Sequence, residues 1–295
     1  MDWRKQLNGY IEIINQSLES YIEIDGDHNR PVVEAMQYSL FAGGKRLRPV
    51  LTLATAEMLK GSVERALPYA CALEMIHNYS LIHDDLPAMD NDDFRRGKLT
   101  NHKMFGEGIA ILAGDGLLNL AYEIMLQDIL QHEYPRPFIC AMKCIGNAAG
   151  IKGMIGGQTA DLMSEGKAIS ADTLTYIHQH KTGALLAASM TAGAYAAGAD
   201  EKTASALTTA GNALGMAFQI QDDLLDLEGN TEELGKPIGS DLRNEKATFP
   251  ALYGVDNSRN EMITLTNQAL TIFQSFGETS EFLQSLARHL ITRRS

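Results

Sequence analysis

Apolar residues recur at helical spacing along most of the chain. Leu47, Leu51, Ala54 and Met58 lie three or four residues apart, and Pro49 falls in the first turn of the helix they predict, where proline is tolerated. Alternation of apolar and polar residues at period two, which would indicate strands, is scarce. The pattern therefore predicts an all-α fold.

A long stretch in the second half of the chain contains no proline. Of the eight prolines, none lies between Pro137 and Pro237, where the helix formers Ala, Leu, Met and Gln are frequent. Within this stretch, residues 182–199 carry no charge and approach the length of a membrane span. Because the run consists mostly of Ala, Gly, Ser and Thr, we interpret it as a tightly packed core helix and expect no membrane span.

Glycine, proline and small polar residues mark the breaks between the predicted helices. The breaks fall at residues 26–31, 43–44, 61–68, 91–101, 133–137, 166–172, 199–203, 227–250 and 277–280. None is a long linker rich in Gly, Ser and Pro, so we expect a single domain over residues 1–295. The longest break, 227–250, contains Lys236, Arg243 and Lys246, and the pattern fits either a mobile basic lid or a plain surface loop.

The composition is that of an ordinary globular protein, and it excludes some classes of function. Of the 295 residues, 45% are hydrophobic, which is enough to bury one sizeable core. The net charge of −12 argues against nucleic-acid binding through a basic face. The first residues lack the apolar run of a signal peptide, so we expect a cytoplasmic protein.

The three cysteines, Cys71, Cys140 and Cys144, form no even disulfide framework. Cys140 and Cys144 lie four residues apart and share a helix face, which is compatible with a metal or redox pair. No His or Cys partners follow at zinc spacing. Buried core thiols are therefore the preferred interpretation.

Two acidic clusters each follow an apolar stretch. They contain Asp84, Asp85 and Asp90 in the first cluster and Asp222, Asp223 and Asp226 in the second. Asp222 and Asp226 share a helix face, where like charges repel unless a cation offsets them. Donors that are all oxygen favour magnesium bound together with a phosphate over zinc or copper. A solvated acidic face is the alternative, and the presence of two such clusters disfavours it.

Pro87 interrupts the first acidic cluster. We expect it to kink or end the preceding helix near Leu86. Asp84 and Asp90 lie six residues apart and would not align on a straight helix. The hypothesis is that the kink brings them together.

Two cationic segments, at residues 43–49 and 95–98, accompany the acidic clusters. The first is a glycine turn leading into Lys45, Arg46 and Arg48 at a helix start, an arrangement that suits a diphosphate. It is not a P-loop, because no strand precedes it and no Ser or Thr follows the lysine. The second segment, Arg-Arg-Gly-Lys, either binds phosphate oxygens or forms a structural salt-bridge network with the adjacent acids.

Together these segments resemble the trans-isoprenyl diphosphate synthases, and within them the bacterial farnesyl diphosphate synthases. The resemblance covers nearly the whole chain and rests on the segments at 43–49, 84–90, 95–97, 153–158, 178–185 and 222–226. It implies a single-domain isoprenoid synthase-type helical bundle around a deep central cavity, usually as a homodimer. It also implies about three magnesium ions between the Asp-rich motifs and an allylic diphosphate.

The resemblance further implies a role for individual residues. The implied metal ligands are Asp84, Asp90 and Asp222, supported by Asp85, Asp223 and Asp226. The implied contacts to the allylic diphosphate are Arg95, Lys181, Thr182, Gln219, Lys236 and Lys246. Those to the homoallylic isopentenyl diphosphate are Gly44, Lys45, Arg48, His77 and Arg96, with Arg293 and Arg294 as further candidates. For His83 a hydrogen-bonded core role and a ligand role are both open.

Product length is predicted from the helix that leads into the first cluster. Tyr79 lies five residues before Asp84, just over one turn back. A tail attached to a diphosphate at Asp84 would run towards Tyr79, whose ring would stop growth early. Ser80 is small, so the block depends on Tyr79 alone. With the longer first motif this resembles the bacterial fifteen-carbon pattern, and it predicts mainly farnesyl diphosphate.

Other functions stay open from the sequence. A geranyl or geranylgeranyl diphosphate synthase would carry the same motifs. A terpene cyclase would use an Asp-rich cluster but would not need the second diphosphate site formed by Lys45, Arg48 and Arg96. A non-catalytic partner subunit of a heteromeric synthase would tend to lose the Asp motifs, and both are intact here. An acidic calcium-binding scaffold would leave the cationic segments unexplained.

Overall fold

The computed structural model describes residues 2–24, 26–228 and 248–292, apart from the side chain of residue 228. In these ranges the helices are α1 (Trp3–Tyr21), α2 (Arg30–Leu40), α3 (Leu47–Met58), α4 (Val63–Asp84), α5 (Asn101–Phe105), α6 (Glu107–Ile129), α7 (Arg136–Ala149), α8 (Met154–Ser164), α9 (Ala171–Ile177), α10 (Ala184–Ala196), α11 (Glu201–Glu228), α12 (Phe249–Tyr253), α13 (Val255–Gln274) and α14 (Glu281–Thr292). A 3-10 turn spans Gly277–Ser280. The all-α prediction is confirmed.

Helices α3, α4 and α10 form the centre of the bundle. Helix α4 packs against α3, α6 and α10, and α10 also packs against α7 and α11. Nearly every residue of α10 is buried, which confirms the core helix predicted from the uncharged run. Its small residues permit close approach: a Cβ on Gly193 would lie 2.3 Å from the carbonyl oxygen of Thr52 on α3.

The helix that enters the core passes through a π-helical turn. Residues His178–Gly183 form this turn between α9 and α10, so α9, the turn and α10 follow one another without a break. Helix α8 packs directly against it. A Cβ on Gly157 of α8 would lie 2.1 Å from the backbone nitrogen of Lys181. A turn of this kind is rare and frequently occurs at functional sites.

Several local features differ from the sequence prediction, including unpredicted helix breaks at Gly106 and Gly254. Strands β1 (Phe94–Arg95) and β2 (Lys98–Leu99) pair as a short antiparallel hairpin inside the predicted break. Pro68 lies within α4 and does not precede it, because Ser62 caps the helix by accepting a hydrogen bond from the backbone nitrogen of Arg65. The turn between α7 and α8 was not predicted. The long break at 227–250 lies mostly outside the described residues.

Two segments are long and apolar enough to cross a membrane by length and composition alone: Glu107–Ile129 and Arg136–Ser164. The second is divided between α7 and α8, so it is not one continuous helix. Core helices of globular proteins pass the same test, so these segments carry little weight as evidence of a membrane span.

The cysteines are all free thiols. Cys71 is buried, whereas Cys140 and Cys144 are half-buried, so the core-thiol interpretation is confirmed in full only for Cys71. Burial raises the pKa of Cys71 and of Cys144 to about 12, which leaves both protonated at neutral pH.

Candidate active site

The first acidic cluster begins at the C-terminal end of α4. The helix ends at Asp84, and the chain then turns through Pro87 so that the backbone nitrogen of Asp90 donates a hydrogen bond to the carbonyl oxygen of Asp84 at 2.9 Å. This turn returns Asp90 to the end of the helix, as the kink hypothesis requires of the backbone. Both residues of the predicted metal-ligand pair therefore belong to one compact turn.

The carboxylate of Asp84 is buried and has two neighbours from distant parts of the chain. Gln158 Nε2, on α8, donates a hydrogen bond to Asp84 Oδ1 at 2.6 Å. Lys181 Nζ, in the π-helical turn, lies 3.6 Å from Asp84 Oδ2. These contacts orient both oxygens of the carboxylate.

The carboxylate of the adjacent Asp85 forms an ion pair with Arg95 of β1. Arg95 Nε donates to Asp85 Oδ1 at 2.7 Å, and Arg95 Nη2 lies 2.5 Å from the same oxygen and 3.6 Å from Asp92. Burial raises the pKa of Asp85 to about 6, although the Arg95 charge acts in the opposite direction. Arg95, predicted to contact a diphosphate, is thus paired with an acid of the first cluster in this structure.

Lys181 lies between α4 and α8. Its Nζ donates to Asp161 Oδ2 at 2.6 Å, in addition to its longer contact with Asp84. Burial alone lowers the pKa of Lys181, but the carboxylates of Asp84 and Asp161 outweigh that effect and raise it above its ordinary value. The lysine is therefore fully charged at neutral pH.

The second acidic cluster lies near the C-terminal end of α11. Asp222 and Asp226 are half-buried and line a cavity of about 210 Å³, together with Lys181, Thr182 and Gln219. Lys181 Nζ also lies 3.6 Å from Asp84 Oδ2, so this lysine links the cavity to the first acidic cluster. Six of the predicted site residues, Asp223 included, line this one cavity.

Asp223 differs from Asp222 and Asp226 in the second cluster because it is buried and its carboxylate accepts hydrogen bonds from within the protein. Its Oδ2 accepts a hydrogen bond from the backbone nitrogen of Phe249 at 2.8 Å, and its Oδ1 accepts one from Gln219 Nε2 at 3.3 Å. His178 Nε2 lies 3.6 Å from Asp223 Oδ2, and burial lowers the pKa of His178 to about 4, so the ring is neutral. Asp223 therefore positions the start of α12.

The donor set of these clusters fits magnesium held jointly with a phosphate. Among the described residues, no three His, Cys, Asp or Glu side chains come together closely enough to hold a metal ion by themselves. Magnesium typically binds through one or two carboxylates, with waters and phosphate oxygens as its other ligands. Each acidic cluster supplies carboxylates of this kind, and Gln158 Oε1 is buried without a hydrogen-bond partner in the described part of the chain.

The two arginines of the glycine turn at 43–49 have different surroundings. Arg46 makes contacts within the protein, whereas Arg48 is a candidate for ligand binding. Arg46 is buried, with Nη1 2.7 Å from Glu74 Oε1 and Nη2 donating to the Leu40 carbonyl at 2.7 Å. Arg48 Nε is buried without a hydrogen-bond partner among the described residues, and burial lowers the Arg48 pKa to about 10. Arg46 therefore fixes the turn, while Arg48 remains a binding candidate.

The remaining cations of this region surround His77. Burial and the charges of neighbouring arginines, Arg48 foremost, hold the pKa of His77 well below its usual value. Arg96 donates a hydrogen bond to the Gly43 carbonyl, and its guanidinium lies where a Cβ on Gly44 would come within 2.8 Å. Glycine at position 44 thus leaves room for Arg96, and the fold brings the glycine turn at 43–49 next to the second cationic segment.

The chain-length candidates lie on α4. Tyr79 is buried and packs edge-on against His83, with ring centroids 5.8 Å apart. His83 Nε2 lies 3.0 Å from the Ile111 carbonyl oxygen of α6, and this contact supports the hydrogen-bonded role for His83. Ser80 Oγ donates to the His77 carbonyl at 2.8 Å.

Some candidates fall outside the description and others were missed. Lys236, Lys246, Arg293 and Arg294 lie outside the described residues, as does most of the 227–250 break, so the choice between a lid and a plain loop stays a prediction. Sequence reasoning did not identify Asp161, although the neighbouring segment at 153–158 was recognised as part of the resemblance. The three-residue spacing of Gln158 and Asp161, which places both on one helix face, was the available signal.

The chain is similar to known proteins over nearly its whole length. The family model described as polyprenyl synthetase matches residues 13–286. The chain is 48% identical over 257 residues to a farnesyl diphosphate synthase of Geobacillus stearothermophilus, covering 87% of this chain and 86% of that protein. It is 46% identical over 264 residues to a geranylgeranyl diphosphate synthase of Cyanophora paradoxa, covering 89% of this chain and 87% of that protein. An apo FPP/GFPP synthase structure from Zymomonas mobilis matches with a TM-score of 0.88 and 35% identity, covering 98% of this chain and 99% of that one.

Proposed function

The chain belongs to the polyprenyl synthetase family, and we propose that it is a prenyltransferase that condenses isopentenyl diphosphate head-to-tail with dimethylallyl and then geranyl diphosphate. The observation that carries the proposal is the cavity where Asp222 and Asp226 of one cluster meet Lys181, which also approaches Asp84 of the other. An allylic diphosphate in this cavity would be bound by Lys181, Thr182 and Gln219. The homoallylic diphosphate would be bound by Lys45, Arg48, His77 and Arg96.

The chemistry follows from where charge develops. As the allylic C–O bond breaks, the bonding electrons leave with the diphosphate, so fixed cations stabilise the transition state more than the ground state. Magnesium held by Asp84, Asp90 and Asp222 would supply Lewis-acid stabilisation of the departing diphosphate. The double bond of isopentenyl diphosphate then attacks the allylic carbocation, and a proton is lost from the adduct. The departing diphosphate is the proposed base for this proton.

The main product proposed is farnesyl diphosphate. Relatives that match this chain carry farnesyl, geranylgeranyl and FPP/GFPP synthase names, so the family alone does not fix the product length. The bulky, buried Tyr79 on α4 supports the shorter product. A geranylgeranyl diphosphate synthase is the second candidate, supported by the 46% identity to such an enzyme.

A homodimer is part of the proposal. Helix α6 exposes Ile111, Leu112 and Leu126, and the adjoining Leu130 is 86% exposed. Apolar side chains grouped on one helix in this way mark an interaction surface. A second copy of the chain is the proposed occupant, in a cytoplasmic enzyme.

Product analysis tests the proposal most simply. The purified chain, incubated with isopentenyl and dimethylallyl diphosphates, should form farnesyl diphosphate with magnesium and none when the metal is chelated. A hydrocarbon product from farnesyl diphosphate alone would indicate a terpene cyclase. No condensation by the chain alone would indicate a non-catalytic subunit.

A further inference from the structure

Lys181 is shared unequally by two carboxylates. Its Nζ lies 2.6 Å from Asp161 Oδ2 and 3.6 Å from Asp84 Oδ2. All three side chains are largely withdrawn from solvent, with 25%, 19% and 11% exposure for Lys181, Asp161 and Asp84. The interactions among these charges are therefore less screened than those on an open surface.

The position of Lys181 matters to any divalent cation at Asp84. An ammonium group paired closely with Asp84 would occupy the carboxylate oxygen that a metal needs and would repel the metal. Asp161 offers Lys181 a closer partner than Asp84 does. Coulomb attraction falls with distance, so the shorter contact holds the lysine more strongly.

One face of helix α8 contacts both Asp84 and Lys181, through Gln158 and Asp161 respectively. Gln158 and Asp161 are three residues apart, and Gln158 Nε2 donates to Asp84 Oδ1 at 2.6 Å. Gly157 permits the helix to approach the backbone of Lys181, since a Cβ there would lie 2.1 Å from the Lys181 nitrogen. Position and orientation of Asp84 and Lys181 are thus set by the same short helix.

We propose that Asp161 is a positioning residue that holds Lys181 away from full pairing with Asp84, so that Asp84 Oδ2 stays accessible to a magnesium ion bound with a diphosphate. The proposal rests on the function proposed above, because it assumes that Asp84 is a metal ligand. Asp161 touches neither the metal nor the reacting atoms in this scheme. It acts through Lys181 alone.

A double-mutant cycle tests this indirect action. Calorimetry would measure the binding of magnesium pyrophosphate, at a fixed free magnesium concentration, to the full chain and to its Asp161→Asn, Lys181→Gln and doubly substituted variants. Asp161→Asn should weaken binding about tenfold in the wild-type background, the usual scale for a residue that orients a metal ligand. In the Lys181→Gln background the same substitution should have almost no effect, because the competing ammonium group is gone.

Each outcome of the cycle decides the matter. Equal weakening in both backgrounds would show that Asp161 binds the metal or supports the fold independently of Lys181, and unchanged binding in the wild-type background would also overturn the proposal. The Asp161→Glu variant, which keeps the charge, should bind magnesium pyrophosphate almost as tightly as the unsubstituted chain. Asp172→Asn on α9 is the matched control and should bind normally. Failure of the unsubstituted chain to bind magnesium pyrophosphate would instead contradict the proposed function.

Discussion

Individual side chains in the candidate site divide into those that we propose to bind substrate or metal and those that hold other groups in place. Asp223 illustrates the second kind: it belongs to an Asp-rich motif, yet its carboxylate accepts the Phe249 backbone hydrogen bond at 2.8 Å. Arg46 is similar, because its guanidinium pairs with Glu74 and donates a hydrogen bond to the Leu40 carbonyl. Residue type alone therefore does not assign a role, and contacts are needed to separate ligands from anchors.

Tyr79 is the residue on which product length is expected to depend. Tyr79→Ala removes the ring and should shift products from fifteen towards twenty carbons, because the tail can then extend along α4. Mass spectrometry of the dephosphorylated products would measure the shift. Tyr79→Phe keeps the ring and should leave the product unchanged. A constant chain-length ratio in Tyr79→Ala would show that another residue closes the cavity.

His178 gives the fold a predicted sensitivity to acid. Because burial lowers its pKa to about 4, the folded state resists protonation, and the stabilisation present above the unfolded pKa of 6.5 is lost as the pH falls towards 4. The loss should approach about 3 kcal/mol, since one pKa unit corresponds to about 1.4 kcal/mol. Urea unfolding between pH 7 and pH 4 would measure it.

The His178→Gln variant provides the comparison for this acid sensitivity. It removes the titrating group, so its stability should fall less steeply over the same pH interval. His77, whose pKa is also lowered by burial, remains in both proteins and contributes equally to both. Parallel pH profiles for the two proteins would contradict the assignment of the effect to His178.

At the scale of elements, the π-helical turn and α8 form the junction that brings the two acidic clusters together. The turn carries His178, Lys181 and Thr182, and α8 carries Gln158 and Asp161. Gln158 and Lys181 contact Asp84 of α4, and His178 contacts Asp223 of α11. Asp161, Lys181 and Thr182 line the cavity beside α11. The close packing of α8 on the turn is therefore expected to matter for activity as well as for stability.

Gly157→Ala tests this packing. The added methyl group would meet the Lys181 backbone nitrogen at 2.1 Å, so α8 and the turn must separate. We expect a loss of about 1–3 kcal/mol in unfolding free energy, as for other overpacked cores, together with reduced activity. Urea denaturation and a steady-state condensation assay would measure the two effects.

Gly9→Ala is the matched control for the Gly157 substitution. Gly9 lies in α1 with nothing within 4 Å of an added Cβ. The substitution should therefore leave activity unchanged and stabilise the protein by up to about 1 kcal/mol through helix propensity. Equal stability and activity in the two variants would show that α8 is not tightly packed on the turn.

The elements also show how far the sequence predicts this molecule. Helices follow from local periodicity, so the all-α class and the buried α10 were predictable. Pro68 inside α4 was not, because the Ser62 cap starts the helix before the proline. The hairpin at 94–99 was not either, because strands of two residues are too short to show an alternating pattern. The acidic clusters were visible as motifs. Asp161 was not, because its role depends on Lys181, which is brought next to it only by the fold.

At the scale of the whole molecule, an acidic protein gathers several arginines near one histidine and exposes apolar side chains on several helices, α6 among them. The net charge is −12, yet Arg46, Arg48, Arg95 and Arg96 lie close enough to lower the pKa of His77. Such a concentration suits binding of two diphosphates at adjacent positions. The proposed second copy of the chain would cover the exposed apolar residues of α6.

Substitution on α6 tests the proposed dimer. Leu112→Glu combined with Leu126→Glu places charges within the apolar surface, so the chain should sediment as a monomer. Ile13→Glu, an equivalent change at an exposed residue of α1, should leave the dimer intact. Analytical ultracentrifugation would distinguish the two. A wild-type chain that is already monomeric at micromolar concentration would contradict the proposed assembly.

The most direct test is a crystal structure of the chain with magnesium and a non-cleavable thio analogue of dimethylallyl diphosphate. We predict metal ions that join the analogue's phosphate oxygens to Asp84 and Asp90 on one side and to Asp222 on the other, with Lys181 in contact with the diphosphate. A diphosphate bound elsewhere, with both acidic clusters free of metal, would contradict the proposed mechanism.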